Sequence, residues 1–150
     1  MRVYRATDAD IASVAALRRA STEEDKGAPV TDPDFDAEFA RWWQQERSRR
    51  EFWIAEADRP IGFCNLVEFT RMPRPGIGRF AWGYISNFYV LPEHRNEGVG
   101  AQLIKAALDY ADSVGYVRVV LSPTERAIPF YQRAGFGPAD SLMLRLPPTE

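Results

Sequence analysis

Residues 90 to 101 read Val-Leu-Pro-Glu-His-Arg-Asn-Glu-Gly-Val-Gly-Ala, and this stretch narrows the possible folds more than any other. An apolar, aromatic run from Tyr84 to Leu91 leads into it, and an amphipathic helix pattern from Ala101 to Val114 leads out. Strand, glycine-bearing turn and helix start thus meet at Arg95-x-x-Gly98-x-Gly100. The first N–H groups of a helix lack intrahelical partners, and the dipole adds positive potential there. Glycines let a ligand approach the backbone closely. Such a turn suits an anion, with phosphate or pyrophosphate as the natural guest. It is not a phosphate loop of the Gly-Lys-Ser/Thr type, because that triplet does not follow. It also lacks the third glycine and the distal acid of the dinucleotide fingerprint. Taken alone, it fits a generic nucleotide- or phosphate-binding α/β domain.

The remainder of the chain reads as one domain over residues 1–150. A short strand is expected at Val3 to Ala6. Thr7-x-x-Asp10 resembles a capping box, and Ile11, Val14, Ala15 and Arg18 then follow helical spacing, with fraying expected near Ser21. Glu23 to Pro33 reads as a polar loop. A second helix follows Asp34, with Phe35, Phe39, Trp42, Trp43 and Glu46 along one stripe. Strands are expected at 52–57 and 61–69, then a Pro/Gly loop at 71–79, and a long strand at 80–90 closed by Pro92. A helix at 101–114 ends at Gly115, and an apolar strand at 117–121 suits the middle of a sheet. A helix at 125–134 and a last strand at 141–146 complete the order β-α-α-β-β-β-α-β-α-β. The crossover through the 101–114 helix makes its two flanking strands parallel. The expected class is a mixed α/β sheet in one domain, with a central parallel strand pair.

Composition excludes several functions. With a net charge of −2, nothing suggests bulk nucleic-acid binding. Apolar runs are too short for a membrane span, and the first residues lack the apolar core of a signal peptide. One cysteine permits no internal disulfide, and one cysteine with one histidine makes no metal site. Cys64 lies in an apolar run and reads as a buried, inert thiol. A cytoplasmic protein is expected.

A second motif raises the odds that the anion turn has a function: Ala127-Ile128-Pro129-Phe130-Tyr131-Gln132-Arg133-Ala134-Gly135-Phe136. With Val90-x-Pro92 and Arg95-Asn96-Glu97-Gly98-Val99-Gly100, it resembles the GNAT superfamily of N-acetyltransferases. The resemblance covers residues 84–136 and implies acetyl-CoA as acyl donor, with direct transfer to a small-molecule or peptide amine. It implies that the backbone amides of Arg95, Asn96, Glu97, Gly98, Val99, Gly100 and Ala101 hold the pyrophosphate. The main chain of Phe88, Tyr89 and Val90 would bind pantetheine. Thr124 stands where many relatives carry Asn, and a subset of relatives carries Ser there with a Pro before the aromatic-Tyr pair, as Pro129 does here. A homodimer is also compatible with the resemblance.

Tyr131 matches the family's general acid, whose proton would go to the departing thiolate. An ordinary phenol pKa of ~10 lies near enough to a thiol's ~8.5 for that transfer. The base is open. Tyr84 stands where some relatives carry Glu; Glu68 is the candidate carboxylate, since a hairpin centred near Pro75 brings it alongside Phe80 to Tyr84. Asn87 could position a substrate, and His94 falls on the phosphate side of the turn. Acceptor charge is open too. Residues 21–40 hold seven acids against Lys26, which would favour a cationic amine, whereas Arg71, Arg74 and Arg79 would greet an anionic one. The rival to an enzyme is a non-catalytic acyl-CoA-binding regulatory module.

Overall fold

The computed structural model describes residues 1–149. Five strands form one sheet in the order β1-β2-β3-β4-β5: β1 Arg2–Arg5, β2 Arg50–Glu56, β3 Pro60–Thr70, β4 Ala81–Val90 and β5 Val119–Leu121. Neighbours are antiparallel except β4 and β5, which are parallel; this pair lies at the edge of the sheet and not at its centre as expected, because no later strand among the described residues joins β5. The helices are α1 Ile11–Lys26, α2 Phe35–Glu46, α3 Val99–Ser113 and α4 Ile128–Arg133.

The middle strand explains the core. Ile61 to Val67 in β3 are all buried, because both faces of the sheet are covered there. On one face Val14 and Leu17 of α1 and Trp43 of α2 pack down, with Trp43 stacked on Phe52 at 4.3 Å. On the other face α3 contributes Leu103, Ile104 and Ala107. Truncating a fully buried leucine such as Leu103 to alanine costs about 2–5 kcal/mol. Asn65, the buried polar residue of that run, donates its Nδ2–H to Asn87 Oδ1 at 3.1 Å.

The capping box forms as expected: Thr7 and Asp10 exchange side-chain and backbone hydrogen bonds ahead of α1. That helix outlasts the expected fraying at Ser21 and runs to Lys26. Residues 23–26 carry few strong helix breakers, and Gly27, at φ 70°, supplies the left-handed stop that donates to the Glu23 and Glu24 carbonyls. The expected helix at 125–134 divides into a 3-10 turn, Glu125–Ala127, and α4. Pro129 has no N–H to give, so it belongs in a first turn and restarts the helix.

One expected element is absent. Residues 141–146 form no strand, and Leu142, Met143, Leu144 and Leu146 lie exposed. Alternating leucines satisfied the strand pattern. Yet β5, the edge they would join, is three residues long, and Pro138, Pro147 and Pro148 flank the segment without donors. No helix of the described residues is long and apolar enough to cross a membrane.

Candidate functional site

The site begins with a fault in β4. Asn65 pairs with Asn87, but Leu66 pairs with Ile85, which leaves Ser86 as an extra residue. A bulge of this kind bends its strand. Pairing with β5 ends at Ile85 and Leu121, so Asn87 to Val90 have no partner on that side. A gap opens between β4 and the segment after β5, with main-chain polar groups on its β4 wall.

At the end of β4 the chain turns sharply into α3. Asn96 adopts φ 64° and Gly98 φ 82°, the left-handed region that asparagine and glycine tolerate best. The first helical hydrogen bond runs from the Gln102 N–H to the Gly98 carbonyl at 3.2 Å, and no side chain caps the helix. The N–H groups of Val99, Gly100 and Ala101 therefore have no acceptor within α3. A Cβ on Gly100 would stand 3.3 Å from the Phe130 ring, so α4 packs tightly on α3 at this position.

Arg95 fixes this turn. Its Nε donates to the Val90 carbonyl at 2.9 Å, and its two terminal nitrogens donate to the Glu24 carboxylate at 2.9 and 2.8 Å. Tyr89 Oη–H donates to the same carboxylate at 2.9 Å. Those hydrogen bonds, Arg95's first, hold Glu24 below the usual carboxylate range. Burial, helped by the Glu24 carboxylate, pushes the Tyr89 phenol up to about 12, so it stays a donor. Arg95 thus spends its charge on α1, and the turn itself offers an anion its backbone donors, with Arg126 and Arg133 also lining the cavity.

Between turn, α3 and α4 lies a cavity of about 750 Å³, within the range of ligand sites. Of the residues expected to bind a cofactor, Phe88, Tyr89, Val90, Arg95, Asn96, Gly98, Val99, Gly100, Ala101, Thr124 and Tyr131 line it. Glu97 does not; it turns outward, 3.5 Å from His94 Nδ1. The Thr124 hydroxyl makes no capping bond and is available to a ligand. Tyr131 sits edge-on to Phe88, 6.0 Å between centroids, and beside Phe130 and Phe136. Burial pushes its phenol up to about 12, with the neighbouring Cys64 a lesser cause. It is therefore protonated throughout the neutral range. Cys64 is buried, burial raises its thiol pKa, and the thiol donates weakly to the Leu103 carbonyl.

Glu68 is not part of this cavity. It pairs across the ladder with Gly83 as the hairpin reading required, but its carboxylate accepts from Tyr116 Oη and Arg79 at 3.1 Å each. Tyr84 faces the opposite side of the sheet and donates to Ser122 Oγ at 3.1 Å. Sequence reading missed Ile104, Lys105, Leu108, Arg126, Phe130 and Arg133 as lining residues. The signal was present: Gly100, Ile104 and Leu108 recur at i, i+4, and Arg126 and Arg133 bracket Tyr131.

These features match a known family. The sequence profile of the Acetyltransferase (GNAT) family matches residues 14–136. The chain belongs to the GNAT acetyltransferase family. It is 33% identical over 81 residues to a glucosamine 6-phosphate N-acetyltransferase of Trypanosoma brucei brucei, covering 52% of this chain and 51% of that protein. It is 31% identical over 109 residues to an uncharacterized N-acetyltransferase of Methanocaldococcus jannaschii, covering 65% and 45%. The chain thus spans about half the length of the curated relatives it matches. Its fold resembles that of a predicted acetyltransferase from Clostridium acetobutylicum crystallised with acetyl-CoA, at TM-score 0.75 and 20% identity over 97% of this chain and 95% of that one. This GNAT domain has the fold's mixed sheet, with β4 and β5 as the parallel pair.

Proposed function

We propose that the protein is an acetyl-CoA-dependent N-acetyltransferase. It moves the acetyl group directly from the CoA thioester to a primary amine of a small molecule or peptide. One observation carries this reading. A single cavity joins unpartnered N–H groups at the start of α3 to the protonated Tyr131 phenol, past the unpaired β4 main chain. The donor's three parts need those three surfaces in that order: anion donors for pyrophosphate, β-like partners for pantetheine amides, and an acid for the thiolate. The structural neighbour crystallised with acetyl-CoA and the relative named for glucosamine 6-phosphate support donor and acceptor class respectively.

The chemistry follows from those groups. The amine nitrogen forms its bond to the acetyl carbon while the carbon–sulfur bond breaks. The electron pair leaves on sulfur, and Tyr131 Oη supplies the proton that makes a neutral thiol. The attacking nitrogen gives its extra proton to water as the amide forms, and Tyr131 is reprotonated from solvent. No free carboxylate of the cavity stands ready to take the amine's proton, since Asp109 pairs with Lys105. The amine therefore reacts as its free base, having lost its proton to water at the exposed Ser86 and Ser122. Cys64 forms no acyl-enzyme.

The absence of a carboxylate base favours one rival, an acyl-CoA-binding regulatory module. Thiol release from acetyl-CoA across a panel of amines separates the two. An enzyme gives amine-dependent thiol release and an acetylated product. A binding module gives saturable acetyl-CoA binding with no release above solvent hydrolysis, which would overturn the proposal.

A further inference from the structure

The donor cavity lies on the α3/α4 face of the sheet, so an acceptor must come to the β4–β5 gap from the other face. On that face α1 and α2 cover β1 to β3, while Trp82 and Tyr84 of β4 are only half-buried and Ser86 and Ser122 are exposed. Side chains alternate along β4, so Trp82 follows Tyr84 along this same open strip. Trp82 stacks on Phe69 at 4.6 Å and 18°, making a flat aromatic shelf. The Arg118 guanidinium lies over the indole at 4.8 Å, and its buried Nε has no hydrogen-bond partner among the described residues. Beside the shelf is a second, open cavity of about 540 Å³ that includes Arg71 and Arg74.

Ion pairing separates the arginines of this patch from several of their neighbours. Arg49 and Arg50 are paired with Glu46, Arg79 with Glu68, Arg19 with Glu23 and Arg95 with Glu24. Among the described residues Arg71, Arg74 and Arg118 have no carboxylate partner, as is also true of Arg18, Arg41, Arg126, Arg133 and Arg145, but these three are the ones gathered at the aromatic shelf. The Glu68 carboxylate is engaged with Tyr116 on the opposite face and does not neutralise them. In the acidic 21–40 segment, by contrast, Glu23 and Glu24 are consumed by ion pairs, and Asp36 and Glu38 sit in the first turn of α2, where acids complement the helix dipole.

We propose that the acceptor carries an anionic group, a carboxylate or phosphate, that docks on Arg71, Arg74 and Arg118 over the Phe69–Trp82 shelf. This deepens the transferase reading and rests on it. The geometry also sets a length. Transfer takes place where β4–β5 pairing ends, at Ile85, and Trp82 lies three residues back, about 10 Å along a strand. The reacting amine and the anion are therefore about 10 Å apart. An α-amino acid is too short to span them. A planar guanidinium fork binds carboxylate or phosphate through paired hydrogen bonds, and the aromatic shelf holds a flat or apolar body between the two ends.

The test compares 8-aminooctanoate with octylamine, and with glycine as a short control, by thiol release from acetyl-CoA. The long amino acid should exceed octylamine in kcat/KM by about tenfold at low salt, with the advantage fading as ionic strength rises to ~0.3 M. Arg71→Gln with Arg74→Gln, both in an exposed loop, should reduce that advantage, and adding Arg118→Gln should abolish it. An 8-aminooctanoate advantage that is missing, or that survives all three substitutions, would overturn the proposal. A binding arm works without turnover. 3-Phenylpropionate should shift the Trp82 indole resonance, assigned through Trp82→Phe, while 3-phenylpropanol should not. No shift overturns the anion site even if transfer occurs. A shift without transfer to any amine retains the anion site and overturns the transferase reading instead. Phosphate-bearing and carboxylate-bearing amines of the same length then tell which anion is preferred.

Discussion

The two faces of β4 are built by different means. On the α3/α4 face the determinants are main-chain groups: unpaired β4 peptides, three free N–H groups at a helix start, and glycine where two helices close in. On the α1/α2 face they are side chains, with Trp82, Tyr84 and Arg118 brought beside Phe69 by strand register. A backbone site tolerates little, because every residue that forms it must leave the chain free to approach the ligand. A side-chain site can be rewritten one residue at a time. On the proposed function, specificity for the donor would reside in geometry and specificity for the acceptor in composition.

The sharpest way to break that contrast is Gly100→Asp. The acid would stand at the start of α3, where it favours the helix dipole, so folding should persist. Against a pyrophosphate it is a like charge, and two unit charges ~4 Å apart near a surface repel by about 4 kcal/mol. Its Cβ also presses on Phe130. Calorimetry should show CoA affinity falling by more than about 100-fold. The smaller Gly100→Ala should lose much less. Equal losses would mean that packing, and not anion binding, fixes this glycine.

Next in size is Tyr131→Phe. Removing the phenol should lower kcat by ~10²–10⁴ and leave acetyl-CoA binding nearly intact, since the ring and its contacts with Phe88 and Phe130 remain. Its raised pKa gives a second readout. An acid is competent only while protonated, so activity lost by its deprotonation appears as pH rises toward about 12. The kcat profile should climb as the amine loses its proton and show no descending limb at neutral or mildly alkaline pH. A descending limb near pH 8 that vanishes in Tyr131→Phe would mean a different environment for this phenol.

The contrast between the faces also explains what the sequence could say. The candidate donor side is readable because its residues are local: Arg95 to Ala101 make the turn into α3, and Ala127 to Phe136 hold the end of a 3-10 turn, α4 and the glycine turn after it. Each local pattern corresponds to a conformation that glycine, proline or a helix start requires. For Glu68 the sequence supplies the register, beside Gly83, but not the partners that occupy its carboxylate, Tyr116 and Arg79. The Glu24–Arg95 clamp joins residues 71 positions apart, and no local rule connects them. Residues 141–146 failed in the opposite way. Their alternation of leucines is a good local pattern, but a strand needs an edge long enough to receive it, and β5 is not.

The clamp allows a smaller test, because here a side-chain pair holds the backbone turn. Glu24→Gln keeps the shape and removes the charge that holds Arg95. The pair is about one-third exposed, so solvent screening limits its worth, and the loss of CoA affinity should be about threefold to tenfold. The effect should fall on cofactor Kd and KM, with kcat nearly unchanged, and Glu24→Asp should restore part of it. Glu24 has a depressed pKa, so its contribution is full above the ordinary carboxylate range near 4.5 and is lost as pH falls through the lowered value. An unchanged Kd in Glu24→Gln would show that the turn keeps its shape without α1.

The smallest expected effect is at Cys64, and its smallness is informative. A cysteine close enough to Tyr131 to influence it invites an acyl-enzyme reading, with the acetyl group resting on sulfur before it reaches the amine. Attack on a thioester requires thiolate. Here the thiol is 1% exposed, burial raises its pKa, and its hydrogen bond points to the Leu103 carbonyl. All three oppose thiolate formation. Cys64→Ala should therefore leave kcat nearly unchanged and cost only the stability of a small cavity, about 1–2 kcal/mol. Iodoacetamide should label the native protein slowly, at a rate that follows unfolding and not pH. A protein that traps a Cys64 acetyl thioester, seen by mass spectrometry after mixing with acetyl-CoA alone, would reverse the assignment. The donor face would then contain a side-chain nucleophile after all, and the division between a backbone face and a side-chain face would fail at its centre.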